Sequence, residues 1–173
     1  MKRLLKRLWM IDSQIRGHVR LSRALWFDLP LIGKPLSLIL DRLLLIIYGI
    51  DLQSASVSVG RLLISHPGGI LLGGNGLVSP GRVAIMSGVC LVGRSPSDPV
   101  YLERHKTKSV FRFGDNVVIG AGSVIIGPID ICDNVTIGAM SLVNKSIVEP
   151  GVYVGVPVRK INADISDEWV SEQ

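Results

Sequence analysis

Cysteine, aromatic residues and long apolar runs are all scarce in this chain, and each scarcity removes a class of protein. The two cysteines, Cys90 and Cys132, lie far apart, follow no metal-ligand spacing and have no flanking histidine pair. That pattern excludes a disulfide framework, offers no zinc motif and suits a reducing cytoplasm. Aromatics make up 5% of the residues, and they form no aromatic–basic motif, so the net charge of +5 does not by itself argue for a nucleic-acid partner. The most apolar stretch, 29–50, is interrupted by Pro30, Lys34, Pro35, Asp41 and Arg42. Its longest uncharged piece, Leu43 to Ile50, is too short to cross a bilayer. Arg, Asp and Gln also break up the apolar residues near the N-terminus, so no uninterrupted signal-peptide core is visible.

What is present is enough for one core. At 173 residues and 47% hydrophobic, the chain suits one domain with a terminal appendage. The basic character is concentrated: Met1 to Leu25 holds Lys2, Arg3, Lys6, Arg7, Arg16, Arg20 and Arg23 against Asp12 alone. Leu4, Leu5, Leu8, Trp9 and Ile15 could line one face of a basic amphipathic helix drawn to anionic lipid. Helices that pack on the rest of the protein are the plainer expectation.

A repeat dominates the second half. Counting in sixes from Phe113 reaches Ile119, Ile125, Ile131, Ile137 and Val143, all large and apolar. Helices repeat apolar residues at three and four and strands at two, so a strict six implies short strands separated by turns. Gly114, Asn116, Gly120, Gly122, Gly127, Pro128, Asn134 and Gly138 supply turn chemistry, because Gly and Asn accept positive φ and Pro presets a bend. Each such coil is too thin to cover its own apolar residues; stacking coils closes a continuous interior, as in a solenoid. The beat runs backward less cleanly through Leu52, Ile64 and Ile70 and, after a one-residue slip, Val83 and Val89. It fails over 93–112, which is rich in Pro, Ser and charge and reads as a projecting loop. The expected organisation is a helical cap over 1–50, a β-coil domain over 51–161 and an acidic tail over 162–173. The cap would cover the open end of the column.

These residues resemble a family. The units "IGAGSV" and "IGAMSL" and the ending "VEPGVYVGVPVRKI" are similar to the last coils and exit segment of the hexapeptide-repeat acyltransferases. The resemblance implies a mainly β fold, a left-handed parallel β-helix with a short N-terminal helical segment. The stretch "YGIDLQSASVSVGRLLISHPGGILLGG" is most similar to the serine acetyltransferase branch. The short helical front end also resembles acetyltransferases of capsule and exopolysaccharide synthesis.

Acetyl transfer from a thioester to a hydroxyl needs a base of near-neutral pKa, and an unperturbed imidazole titrates near pH 6.5. The resemblance assigns that role to His66 and makes Asp51 the carboxylate that fixes its tautomer. Arg104 and His105, in "ERHKTKSVF", stand where the serine enzymes carry an "RHP" element, though the proline is missing and the loop is longer. Both become substrate contacts by that match. Ser65 replaces the acidic residue that precedes the base in serine enzymes. A carboxylate there would hold an ammonium, whereas a sugar hydroxyl needs only neutral partners, so Ser65 points to a sugar or glycan-intermediate acceptor, with serine as the alternative. Gly93 matches the family's backbone donor to the oxyanion. Ala121 and Ala139 match the small residues along the pantetheine arm of acetyl-CoA, and Arg159 and Lys160 match cations near its phosphates.

Resemblance further implies a homotrimer with its sites between columns, a cytoplasmic location, and, through the basic front end, peripheral contact with the inner membrane surface. Two rival readings remain. A zinc carbonic anhydrase on the same fold needs three convergent histidines; the chain has only His18, His66 and His105, so no metal is expected. A non-catalytic β-helix scaffold would explain the altered "RHP" element.

Overall fold

The computed structural model describes residues 11–29, 31–95 and 97–162. Two helices open it, α1 (Ile11–Asp28) and α2 (Gly33–Tyr48). Gly49, left-handed at φ 66°, ends α2 by turning its N–H onto the Leu44 and Leu45 carbonyls. A buried polar knot ties this hairpin to the first circuit of the coils. Asp41 accepts from the Ser22 hydroxyl (2.8 Å), the Ser54 hydroxyl (2.6 Å) and the Ser54 N–H (2.9 Å). His18 donates from Nε2 to the Leu40 carbonyl at 2.7 Å, so this histidine joins the two helices. Ile15 and Leu44 reach the core, so the helices pack on the coils, and Ile15 is not available to lipid. The other residues of the amphipathic face, Leu4 to Trp9, and the tail beyond 162 lie outside the described residues.

Among the described residues the chain winds from Ile50 through thirteen short strands, β1 (Ile50–Leu52) to β13 (Arg159–Asn162). One sheet stacks β1, β3 (Ile70–Leu72), β5 (Cys90–Gly93), β8 (Val124–Gly127) and β11 (Leu142–Val143), all parallel. The other sheet bends round an edge of the column. Strand β4 (Leu77–Met86) pairs through Leu77 and Val78 with β6 (Phe111–Phe113), and through Val83 to Ile85 with β7 (Val117–Ile119). Strand β2 (Val57–Ser65) follows it with a register shift at the same bend. Three faces result, which is a triangular column. Val117 pairs with Val135 of β10 (Val135–Ile137), and Phe111 with Ile129 of β9 (Ile129–Ile131), so one circuit takes three sixes.

The six residues read at that spacing, Phe113 to Val143, are all buried, as are Leu52, Ile64, Ile70, Val83 and Val89. Corners are held by the expected turn residues. Asn116 and Asn134 both adopt φ 55° and stack, with the Asn116 amide donating to the Asn134 side-chain oxygen at 2.9 Å. A Cβ at Gly120 would come within 2.5 Å of the Ala139 N–H nitrogen, so successive coils stack too closely there for a side chain. The last circuit adds β12 (Gly151–Val154), against which β13 turns back antiparallel.

The segment 93–112 is not only a loop. It holds helix α3 (Pro99–Lys106), whose N-cap Asp98 accepts from the N–H groups of Val100 (2.9 Å) and Tyr101 (3.3 Å). Asp followed by Pro is a helix-start signal, obscured in the sequence by the surrounding Pro and Ser.

Candidate active site

His66 follows the last residue of β2, at the corner that leads into β3, and is exposed with φ 53°. A non-glycine residue in that region is held by its surroundings rather than by its own preference. Asp51 is the outward residue of β1, flanked by buried Ile50 and Leu52, because side chains alternate across a strand. It pairs across to Leu71 in the next coil. The corner holding His66 is closed against the end of α2, with the Ile70 N–H donating to the Gly49 carbonyl at 3.1 Å. No hydrogen bond joins Asp51 to His66, and His66 does not line the cleft that takes in Asp51.

Asp51 is brought into a cleft of about 480 Å³ with Arg42, Gln53, Asn75 and His105 on its walls, and with Asp41 behind them. His105 comes to it from α3. The Asn75 amide, at φ 58°, donates to the His105 carbonyl at 2.8 Å and lies 3.4 Å from His105 Nδ1. The Asn75 side-chain oxygen is buried without a hydrogen-bond partner among the described residues. Tyr101 sits one helical turn before His105, its ring centroid 5.5 Å from the imidazole. Neither Arg42 nor Asn75 was singled out by sequence; Asn75 lies inside a glycine-rich corner, and Arg42 is one of two cations on an apolar helix.

Other expected residues are engaged elsewhere. Arg104 grips Asp130 with both guanidinium nitrogens, at 2.9 and 2.7 Å, and so anchors α3 to β9. Ser65 is half-buried at the end of β2. Gly93 is covered: a Cβ there would stand 2.4 Å from the Tyr101 ring, which explains the glycine by packing. Ala121 and Ala139 occupy one edge in successive coils, where the Met140 N–H donates to the Ala121 carbonyl at 2.8 Å. Lys160 pairs with Glu149 at 2.9 Å, and Arg159 is exposed beside it. That contact raises the Lys160 pKa, chiefly through the hydrogen bond to the Glu149 carboxylate. Among the described residues, no three His, Cys, Asp or Glu side chains gather as metal ligands would.

Residues 112–145 match the family described as bacterial transferase hexapeptide (six repeats). Over those residues the column is built on the hexapeptide repeat of that family, and the chain's similarities are to serine acetyltransferases. A serine acetyltransferase of Mycobacterium tuberculosis is 38% identical over 112 residues, 65% of this chain and 45% of that protein. One from Buchnera aphidicola is 31% identical over 155 residues, 89% of this chain and 52% of its own. The chain thus spans about half the length of the curated relatives it matches. The solved serine acetyltransferase of Neisseria gonorrhoeae superposes with a TM-score of 0.74 at 25% identity, over 96% of this chain and 61% of that one. A serine acetyltransferase in complex with CoA gives 0.70 at 25%, over 90% and 59%. With these neighbours the column is assigned as a left-handed parallel β-helix.

One expectation is corrected by these similarities. The absence of an acid before His66 pointed to a sugar or glycan acceptor, and with it to polysaccharide synthesis, yet the curated relatives and solved neighbours are serine acetyltransferases. The inference from Ser65 treated one position as the whole electrostatics of the site. Asp51, on the wall of the neighbouring cleft, supplies a carboxylate from another element.

Proposed function

We propose that this β-helix transfers an acetyl group from acetyl-CoA to the hydroxyl of serine. The observation that carries the reading is the charge pattern of the cleft at the first circuits: a carboxylate at Asp51, a guanidinium at Arg42 and an imidazole at His105, around a volume of about 480 Å³. A zwitterionic amino acid offers an ammonium and a carboxylate to such a set, and a carboxylate is matched best by a guanidinium. The serine acetyltransferase relatives support the same acceptor.

In this reading His66 takes the proton of the serine hydroxyl as its oxygen attacks the thioester carbonyl, and Asp51 stabilises the imidazolium that forms. The tetrahedral oxyanion collapses by breaking the C–S bond, and the departing CoA thiolate takes the proton back from His66. No covalent enzyme intermediate and no cysteine are required. His105, held by Asn75, and Arg42 orient the acceptor. Arg104 acts on the site through the position of α3, as the anchor of that helix to Asp130. The coenzyme's pantetheine arm runs along the edge formed by Ala121 and Ala139, with Arg159 beside its phosphates.

The proposal includes a homotrimer with clefts between columns and a cytoplasmic location. Exposed Met140, Val148 and Val156 on the later coils support an apolar contact between copies. The function is tested by incubating the purified chain with acetyl-CoA and L-serine: O-acetylserine and free CoA should appear in equal amounts, and failure to form O-acetylserine rejects it.

A further inference from the structure

Helix α2 is built with its polar side inward. Gly33, Ser37, Asp41 and Leu44 are its buried positions, and Ser37 and Asp41 there are bonded to Ser22 and Ser54. The opposite side carries Ile32, Leu36, Ile39, Leu43 and Ile46, spaced at fours and threes, so they form a single stripe. Ile32 and Ile46 are each 77% exposed, and Leu31 at the head of the stripe is 92% exposed. The helix is sixteen residues long, so the ridge runs about 24 Å. A contiguous aliphatic ridge of this kind marks a contact surface. No helix among the described residues is long and apolar enough to cross a membrane, so α2 lies along whatever covers it.

Charge distinguishes the two candidate occupants. Residues 1–50 contain nine Lys and Arg against three Asp. The Asp12–Arg16 pair cancels and Asp41 is buried, which leaves eight cations against the exposed Asp28. A second copy docked on the same face would bring two cationic segments together, at an electrostatic cost. An anionic surface would be attracted to both. The end of the hairpin adds to this match. Lys34 and Lys108 lie 5.7 and 5.5 Å from the Trp26 ring centroid, and Arg23 lies 5.3 Å from that of Phe27. Amphipathic aromatics beside long cations are the residue types that settle at a lipid headgroup layer.

We propose that the outward aliphatic stripe of α2 is a docking face for an anionic lipid surface, along which the helix lies while the coils stay in water. The proposal is independent of the acetyl-transfer reading. It differs from the expectation for Leu4 to Trp9 in placing the apolar contact on α2.

The test is co-sedimentation of the full chain with vesicles of phosphatidylcholine alone or mixed with phosphatidylglycerol, beside light scattering of the free protein. Wild type should sediment with the mixed vesicles, weakly with the neutral ones, and less as salt is raised. Ile39→Glu/Ile46→Glu should lower binding on the order of tenfold or more with an unchanged oligomeric mass. Leu31→Glu, at a site with almost no protein neighbours, should show a smaller loss without any folding defect. Absence of wild-type binding to mixed vesicles overturns the proposal, as does equal binding by the variants. A drop in oligomeric mass for the double variant also overturns it, and assigns the stripe to contact between copies.

Discussion

Arg104 and Asp130 form a two-point contact across 26 residues of sequence, with both guanidinium nitrogens on both carboxylate oxygens at 2.9 and 2.7 Å. The pair fastens α3 to the column, and α3 carries His105. Arg104→Ala and Asp130→Asn are therefore expected to have the same effect: faster amide hydrogen exchange over 100–106, a stability loss of about 1 kcal/mol, and a raised KM for serine. If Arg104→Ala raises KM and Asp130→Asn does not, Arg104 contacts the substrate directly.

The interior of the column makes a sharper demand. Ile125 is fully buried, whereas Val100 on α3 is 51% exposed. Ile125→Ala should cost about 2–5 kcal/mol in a urea titration, while Val100→Ala should stay within about 0.5 kcal/mol. Similar costs for the two would mean the spacing of six does not define the core.

Asp115 gives a pH dependence. Its carboxylate accepts the N–H groups of Arg82 (2.7 Å) and Asn116 (2.8 Å), and these bonds hold its pKa below the ordinary value of 3.8. A depressed carboxylate pKa contributes stability that is present above the unfolded value and lost as pH falls through the folded one. Asp115→Asn should therefore melt lower than wild type at neutral pH, and the gap should narrow on acidification below about pH 3.8. A gap constant across that range would contradict the assignment.

Arg42 and Asn75 share the cleft with His105. On the serine reading, Arg42→Ala should raise KM for serine by roughly tenfold or more through the lost carboxylate contact, with little change in KM for acetyl-CoA. Asn75→Ala, which frees the His105 carbonyl, should shift KM for serine in the same direction. Steady-state kinetics varying each substrate in turn separates these effects.

The column was legible because its period is local: every sixth side chain must point inward, so Phe113 to Val143 announce the core without reference to anything else. Helix α3 was hidden because eight residues are too few to show a helical period, and its anchors, Gly93 under Tyr101 and Asp130 against Arg104, are remote in sequence. The cleft was read in part. Asp51 and His105, named from the family resemblance, both line it and His66 does not, whereas Arg42 and Asn75 enter it only once α2 and the corner at Gly74 are folded over the first circuits. The acceptor was misjudged for the same reason: the charge around the cleft comes from several elements, and Ser65 reports on only one of them.

The role of His66 is tested most directly by single-turnover acetyl transfer to serine with the His66→Ala variant, its fold checked by circular dichroism. The rate should fall by about two to four orders of magnitude, with CoA binding preserved. A variant that acetylates serine at the wild-type rate would show that His66 is not the base.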